Sequence, residues 1–463
     1  MFQKRRSIRG VPVLCSADLP RRSRTTMTQA APSVPSLDTP APPLSRNDLR
    51  TLALAALGGA LEFYDFVVFV FFTKTLGQLF FPADMPAWLA QVQVYGIFAA
   101  GYLARPLGGI VMAHFGDRTG RKRMFTLSVF LMALPTLCIG LLPTYAQLGV
   151  LAPILLLLLR VVQGVAIGGE VPGAWVFVAE HAPPGRVGFA CASLTSGLTA
   201  GILIGSLVAA GIAGMGAEKV LAYGWRIPFV IGGVFGFFAV WLRRWLSETP
   251  VFAALRERKE LASELPLKRA VTGHLDGVLL SMLATWMLTA AIVVVILMTP
   301  TLVQTSFHLP QTQAFHGNSL AALMLCFGCI LGGMAVDRFG RGLSLLVGSL
   351  ALLVSTYLLY RDLGQGGGHF IALYALAGLC VGVVGVVPAV MVAAFPAAVR
   401  FSGLSFSYNI AYAVFGAITP PLIAYLAAKL GPMAPAHYVA VTAAIGVLCA
   451  VYLLTTRRTF HER

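Results

Sequence analysis

Two stretches decide how this chain is organised: Gly116-Asp117-Arg118-Thr119-Gly120-Arg121-Lys122-Arg123 and Val336-Asp337-Arg338-Phe339-Gly340-Arg341. They share the pattern D-R-x-G-R at an offset of 220 residues, and each follows an apolar run. A second echo pairs Arg186-Val187-Gly188 with Arg400-Phe401-Ser402-Gly403 at an offset of 214, a shorter loop accounting for the difference. Basic loops arising by chance would repeat positive charge, with no reason to repeat Asp and Gly at matched positions. The chain reads as a duplication.

The duplicated material is apolar. Of 463 residues, 57% are hydrophobic and only 11% charged. A soluble domain carries about 25% charged residues, so this composition does not cover a water-facing surface. Disordered chains are poor in hydrophobics, which excludes that class too. Apolar segments of membrane-crossing length recur at about 50–75, 87–113, 124–142, 148–177, 189–214, 224–245, 277–303, 317–336, 342–360, 369–393, 402–427 and 436–455. No sustained alternation supports an outer-membrane barrel. The expected fold is an all-α polytopic membrane protein with twelve transmembrane helices in two six-helix halves.

The net charge of +16 sets orientation; it does not signal nucleic acid. Of the 34 Lys and Arg residues, 27 fall in the tails and even-numbered loops, 5 in the odd-numbered loops, and Arg105 and Arg160 lie within spans. The positive-inside rule then places both termini in the cytoplasm of a multi-pass protein of the inner or plasma membrane. The expected organisation is a disordered cytoplasmic tail over 1–46, with Met27 an alternative start. A six-helix half follows over 47–245, then a cytoplasmic linker over 246–276, a second half over 277–456 and a short tail over 457–463. The tail lacks the apolar core of a cleaved signal. The seven cysteines are an odd count, six of them in or beside apolar segments, and show no disulfide framework. Cys326 and Cys329 form a CxxC with no second ligand pair, so no metal and no cofactor are expected.

Several motifs in register give the chain a specific resemblance. They are Glu62-Phe63-Tyr64-Asp65-Phe66, Arg105-Pro106-Leu107-Gly108-Gly109, and Arg160 with Gln163-Gly164, Gly168-Gly169-Glu170 and Glu180. Further on come Trp225-Arg226-Ile227-Pro228-Phe229, Glu248-Thr249-Pro250 with Phe252, and Phe395-Pro396 with Arg400 and Gly403. From about Leu52 to Arg458 the chain resembles the major facilitator superfamily, and within it the metabolite:H+ symporter family. It departs from that pattern at Ala113 and Val70, where the family often has glycine. The resemblance implies a secondary active transporter working by alternating access as a functional monomer. Its partners would be protons, a small-molecule substrate and the lipid bilayer. Family members carry carboxylates, aromatic acids and zwitterionic osmolytes, so the motifs leave the substrate open.

Ionisable side chains inside a membrane are costly and are candidates for function. Glu62 and Asp65 are three apart and share a helix face. At about 100° per residue, Arg160, Gln163 and Glu170 fall within a stripe roughly 80° wide. Asp65, Arg160, Glu62 and Glu170 are therefore the proton-coupling candidates. Burial favours a neutral carboxyl and a neighbouring guanidinium favours the carboxylate, so an arginine that moves away lets an acid take up a proton. Asp65 is expected to pair with Arg160 and to exchange it for a proton, an arrangement the resemblance also supports. The other reading is a permanent ion pair that fixes packing.

Arg105 lies about 18 Å of helix before Asp117, inside the membrane, as a carboxylate anchor or as the partner of Glu62. Gln163, Trp286, Tyr408, Asn409 and Tyr412 complete the expected substrate site. The gate candidates are Asp117, Arg118, Gly120, Arg121, Glu180, Arg186, Asp337, Arg338, Gly340, Arg341 and Arg400. Asp117 and Asp337 suit the N-terminus of a neighbouring helix, and Arg121 and Arg341 are expected to bridge to acids such as Glu180. Gly197, Gly201 and Gly205 repeat every four residues and point to close helix packing.

The eight histidines lie at span ends, in loops or in the tail, and no hydrolase or phosphate-binding motif is present. An enzyme is not expected. Nor is a channel, for want of a filter-like loop or a charged ring. Two buried arginines favour proton-coupled uptake of an organic anion such as a carboxylate. Zwitterion symport, uniport and drug/proton antiport are the alternatives.

Overall fold

A computed structural model describes residues 45–119, 121–183, 185–243 and 266–456; within them the side chains of Glu62, of 116–119, of Arg121 and of a few others fall outside the description. The side chains of the gate candidates Asp117, Arg118 and Arg121, and Gly120 itself, thus lie outside the described residues, as does most of the 246–276 linker. Among the described residues, twelve helices are long and apolar enough to cross a membrane. They are α1 (Arg46–Phe71), α2 (Ala87–Thr119), α3 (Arg121–Leu141), α4 (Leu151–His181), α5 (Val187–Ala213) and α6 (Arg226–Arg243). In the second half α7 begins at Leu275–Ala290 and continues through Ala291–Met298 into Thr299–Thr305. Then come α8 (Gln311–Phe339), α9 (Arg341–Gly364), α10 (Phe370–Val381, with Val387–Ala393 beyond a short break), α11 (Arg400–Leu430) and α12 (Ala434–Thr455).

Helix ends follow local chemistry. Ser45 accepts from the Asp48 amide at 3.2 Å while the Asp48 carboxylate accepts from the Ser45 amide at 2.8 Å, a capping box that starts α1. The expected first span ran to residue 75, but α1 stops at Phe71 and a separate amphipathic helix covers Thr73–Phe80. The glycine of the second D-R-x-G-R stretch has a plain task. Gly340 sits at φ +83°, between the end of α8 and the start of α9, where a side chain would be strained. In α7 the Ala291–Met298 segment is π-helical, and its carbonyls find outside donors: Thr299 Oγ1 at 2.9 Å from Val294 O, and Tyr374 OH at 2.9 Å from Val295 O.

The pairing of helices carries the duplication into three dimensions. In the first half α1 packs on α5, α2 on α4 and α3 on α6; in the second, α7 packs on α11, α8 on α10 and α9 on α12. The seam between halves is made by α5 with α8 and α2 with α11, which exchange under the same two-fold relation. Leu103, Leu158, Phe327 and Leu448 are exposed while Asp65, Arg105 and Arg160 are buried. That inverted distribution is what a lipid solvent selects.

Close approach places the polar residues. A Cβ at Gly168 would run into the Arg105 carbonyl, so α2 and α4 meet backbone to backbone beside both arginines. A Cβ at Gly201 would meet the Ala60 carbonyl in the same way, which makes the glycine stripe of α5 the contact with α1.

Candidate functional site

Asp65 on α1 and Arg160 on α4 face each other in the core of the first half. The Arg160 Nη1 donates to Asp65 Oδ2 at 3.1 Å and to Gln163 Oε1 at 2.8 Å. Gln163 Nε2 in turn donates to Asp65 Oδ2 at 2.9 Å and to Thr136 Oγ1 of α3 at 2.8 Å. Asp65 Oδ2 thus takes two donors, whereas Asp65 Oδ1 is buried with no hydrogen-bond partner among the described residues. The guanidinium carbon of Arg160 also lies 4.1 Å from the Phe69 ring centroid and 5.4 Å from that of Phe98.

A small cavity opens beside this pair, lined by Phe98, Gly101, Tyr102, Arg105, Arg160, Gln163, Gly164 and Ile167. Arg105 crosses the seam from its wall. Its Nε donates to Asn409 Oδ1 of α11 at 3.5 Å, and its guanidinium carbon lies 5.7, 5.6 and 4.5 Å from the rings of Tyr102, Tyr408 and Tyr412. Asn409 is itself anchored. Its Nδ2 donates to Gly168 O at 2.7 Å and to Ser405 O at 2.8 Å, while Ser405 Oγ donates to Gly109 O at 3.1 Å. Of the two readings offered for Arg105, its place on the cavity wall fits the anchor; the Glu62 side chain lies outside the described residues.

The arginine–glutamine–glutamate stripe on α4 meets two separate clusters. Glu170 is held by Arg243 of α6, Nη2 to Oε1 at 2.6 Å and Nη1 to Oε2 at 3.3 Å, and by the Ser128 hydroxyl of α3. Arg243, at the end of the expected span 224–245 and counted there with the even-loop charges, is fully buried. Trp286, also expected in the substrate site, lies elsewhere. Its ring stacks on Phe415 at 4.2 Å and its Nε1 donates to Tyr438 OH at 3.0 Å, among α7, α11 and α12 and away from the residues lining the cavity.

At the end of the bundle carrying the D-R-x-G-R turns, two contacts cross the seam. Asp337 Oδ1 and Oδ2 accept from the amides of Gly188 and Phe189 at 2.7 and 2.9 Å, capping the N-terminus of α5. Arg186 occupies the cap position of α5, Arg338 lies over the Phe339 ring and Arg341 opens α9. Glu180, at the end of α4, takes Arg400 Nη1 of α11 at 3.4 Å, so the arginine reaching it across the seam is one the sequence had not paired with it. At the opposite end, Phe71 meets Phe315 edge-on at 6.1 Å.

Sequence reasoning passed over Arg243, Ser128, Thr136, Tyr102, Trp175 and Ser405. Two had a signal. Tyr102 precedes Arg105 by three and Ser405 precedes Asn409 by four, each sharing a helix face with a residue already singled out. The others depend on which helices meet.

The comparisons with known proteins agree with this geometry. The Major Facilitator Superfamily pattern matches residues 52–395. The glycine betaine/proline/ectoine/pipecolic acid transporter OusA of Dickeya dadantii is 33% identical over 88% of this chain and 83% of its own. The proline/betaine transporter of Escherichia coli K12 is 31% identical over the same shares. Among solved structures, the proton:xylose symporter XylE superposes with a TM-score of 0.73 at 19% identity, covering 88% of this chain and 95% of that one. The human organic anion transporter MFSD10 gives 0.62 at 13% identity, covering 88% and 100%. With its twelve helices, its two-fold pairing and these matches, the chain belongs to the major facilitator superfamily and is a multi-pass membrane transporter, not an enzyme.

Proposed function

We propose that the chain is a proton-coupled symporter of compact zwitterions of the betaine and proline type, working by alternating access. The observation that carries this reading is the cavity walled by Arg105 and Arg160, with the Asp65 carboxylate paired to Arg160 at 3.1 Å. Two guanidinium groups line that space, and an acid is bonded to one of them. The relatives carry betaine and proline by name, and this moves the reading from the organic anion expected on two buried arginines to the zwitterion. The arginine count misled because one of the two already faces an acid.

In this reading Asp65 is the proton site. Protonation neutralises the carboxylate, releases Arg160 and Gln163, and changes which state of the bundle is favoured. Arg105 is the carboxylate anchor, positioned by Asn409. The contacts Glu180–Arg400 and Asp337 with the α5 N-terminus act as latches at the cytoplasmic end, made in one state and broken when the halves rock. Both termini lie on that side, and the segments 47–245 and 277–456 move against each other, joined by 246–276.

Charge movement tests the proposal. A zwitterion entering with one proton carries net positive charge, whereas a monoanion entering with one proton carries none. In proteoliposomes, an inside-negative potassium diffusion potential is expected to accelerate glycine betaine and proline uptake several-fold and to leave monocarboxylates untransported. Electroneutral uptake of a carboxylate, with no uptake of either zwitterion, would overturn the reading.

A further inference from the structure

Resting on the zwitterion reading above, we propose that the rings of Tyr102, Tyr408 and Tyr412 form the subsite for the substrate's alkylated ammonium group. Arg105 is then the exchangeable internal cation that the ligand displaces from them. Six aromatic rings run unbroken through the bundle. Phe69 and Phe98 lie 6.0 Å apart, Phe98 and Tyr102 5.1 Å, Tyr102 and Tyr412 5.6 Å, Tyr412 and Tyr408 5.2 Å, and Tyr408 and Trp175 5.0 Å. The ladder passes from α1 and α2 to α11 and back to α4, crossing the seam where Tyr102 and Tyr412 stack at 11°. Two cations lie along it, Arg160 at the Phe69 end and Arg105 among the three tyrosines.

The tyrosine cluster is therefore a place that accepts a large, delocalised, weakly hydrated cation out of water. All three rings are almost wholly buried, and desolvation is the condition under which a cation over a ring gains most. Tyr102 and Arg105 also line the cavity, so a ligand there meets the guanidinium and the first of the three rings, with Tyr412 stacked behind it. The two groups of a zwitterion then have separate claims. A guanidinium fork matches a carboxylate, while a quaternary ammonium, which has no N–H to donate, matches ring faces. As the carboxylate draws the guanidinium toward the cavity, the ammonium takes its place among the rings. Asp65 is the competing ammonium site. A hydrogen-bonding anion favours ammonium groups that keep their N–H, whereas a ring cluster favours those that are methylated, so the two assignments predict opposite trends.

The test is competition binding to the full-length protein in nanodiscs with glycine, sarcosine, N,N-dimethylglycine and glycine betaine, which share one carboxylate and differ only in methylation. Affinity should rise along the series. The betaine-over-glycine preference should fall about tenfold in Tyr412→Leu and Tyr102→Leu and persist in Tyr412→Phe, which keeps the ring. A second measurement needs no variant: tetramethylammonium, a cation without a carboxylate, should compete with glycine betaine in the wild-type protein. Betaine binding with an unchanged preference in the leucine variants, or with no competition by tetramethylammonium, would overturn the subsite while leaving the zwitterion reading standing. If the wild-type protein binds none of the series, the functional reading falls, and the subsite with it.

Discussion

Among the described residues, the first half of the molecule buries two carboxylate–guanidinium pairs, and the contrast between them separates a switch from a scaffold. Asp65 meets Arg160 through one oxygen, its other oxygen has no hydrogen-bond partner among the described residues, and a cavity adjoins the pair. Glu170 meets Arg243 through both oxygens, one of which also takes a serine hydroxyl. The fork-to-fork geometry of the second pair is the more strongly bonded and the more directional. An acid whose lone pairs are already engaged has little to gain from changing partners. One with an oxygen outside any hydrogen bond can take a proton as its arginine leaves, so the acid itself is not left as an uncompensated buried charge. Two pairs of the same chemistry thus receive different tasks from their surroundings.

The variant Asp65→Asn puts that contrast under the greatest strain. It is expected to abolish uphill, proton-driven accumulation, a loss of about 100-fold or more, while leaving exchange of substrate across the membrane. Uptake against a gradient that survives in this variant would make the Asp65–Arg160 pair another scaffold. Glu170→Gln is expected to act on stability. Removing one partner of a buried pair costs about 3–5 kcal/mol, read as a clear drop in melting temperature with the proton-to-substrate ratio unchanged. The double variant Glu170→Leu with Arg243→Leu should recover much of that loss, because well-packed apolar residues replace buried ion pairs at little cost. If Glu170→Gln uncouples protons from substrate at normal stability, the two pairs have been assigned the wrong way round.

Smaller effects are expected where the halves meet. Glu180→Gln weakens a cross-seam contact that is already long, at 3.4 Å. The expectation is a shift of about 1–2 kcal/mol toward the state open at that end, on the scale of a charge-assisted hydrogen bond. Labelling of a cysteine introduced between α4 and α11 would follow it, and unaltered labelling would mean the contact does not restrain opening. Asp337→Asn keeps the shape of its side chain and loses the charge at the α5 N-terminus. Its effect should be the mildest, about 0.3–1 kcal/mol, seen in the same labelling assay. A larger change there than in Glu180→Gln would reverse the ranking of the two latches.

How much of this was legible beforehand differs by kind of residue. The twelve spans, the duplication and the Asp65–Arg160 pairing rest on signals that survive in one dimension: apolar run length, a motif repeated at a fixed offset, and rare charges within apolar segments. Arg243 was misplaced for the same reason. A basic residue beside Arg244 at a span end looks like a loop, and only the packing of α6 on α3 beside α4 turns it inward. Trp286 could not be placed beforehand, because an aromatic residue on a membrane helix has the same local signature whether it faces a cavity or a neighbouring ring.

By itself, then, the sequence determined the class, the number of crossings, the internal two-fold and the buried charges, because each follows from the cost of placing polar groups in hydrocarbon. The tertiary structure decided which charge meets which. It joined Glu170 to Arg243 and Glu180 to Arg400, and it gathered Tyr102, Tyr408 and Tyr412 around Arg105 from helices some 300 residues apart. Partner choice depends on the faces that helices present to one another, and glycines such as Gly168 set those faces by how closely they let backbones approach. Periodicity within a single helix can mark a close approach, as the glycine repeat of α5 does, but it does not record which helix makes it.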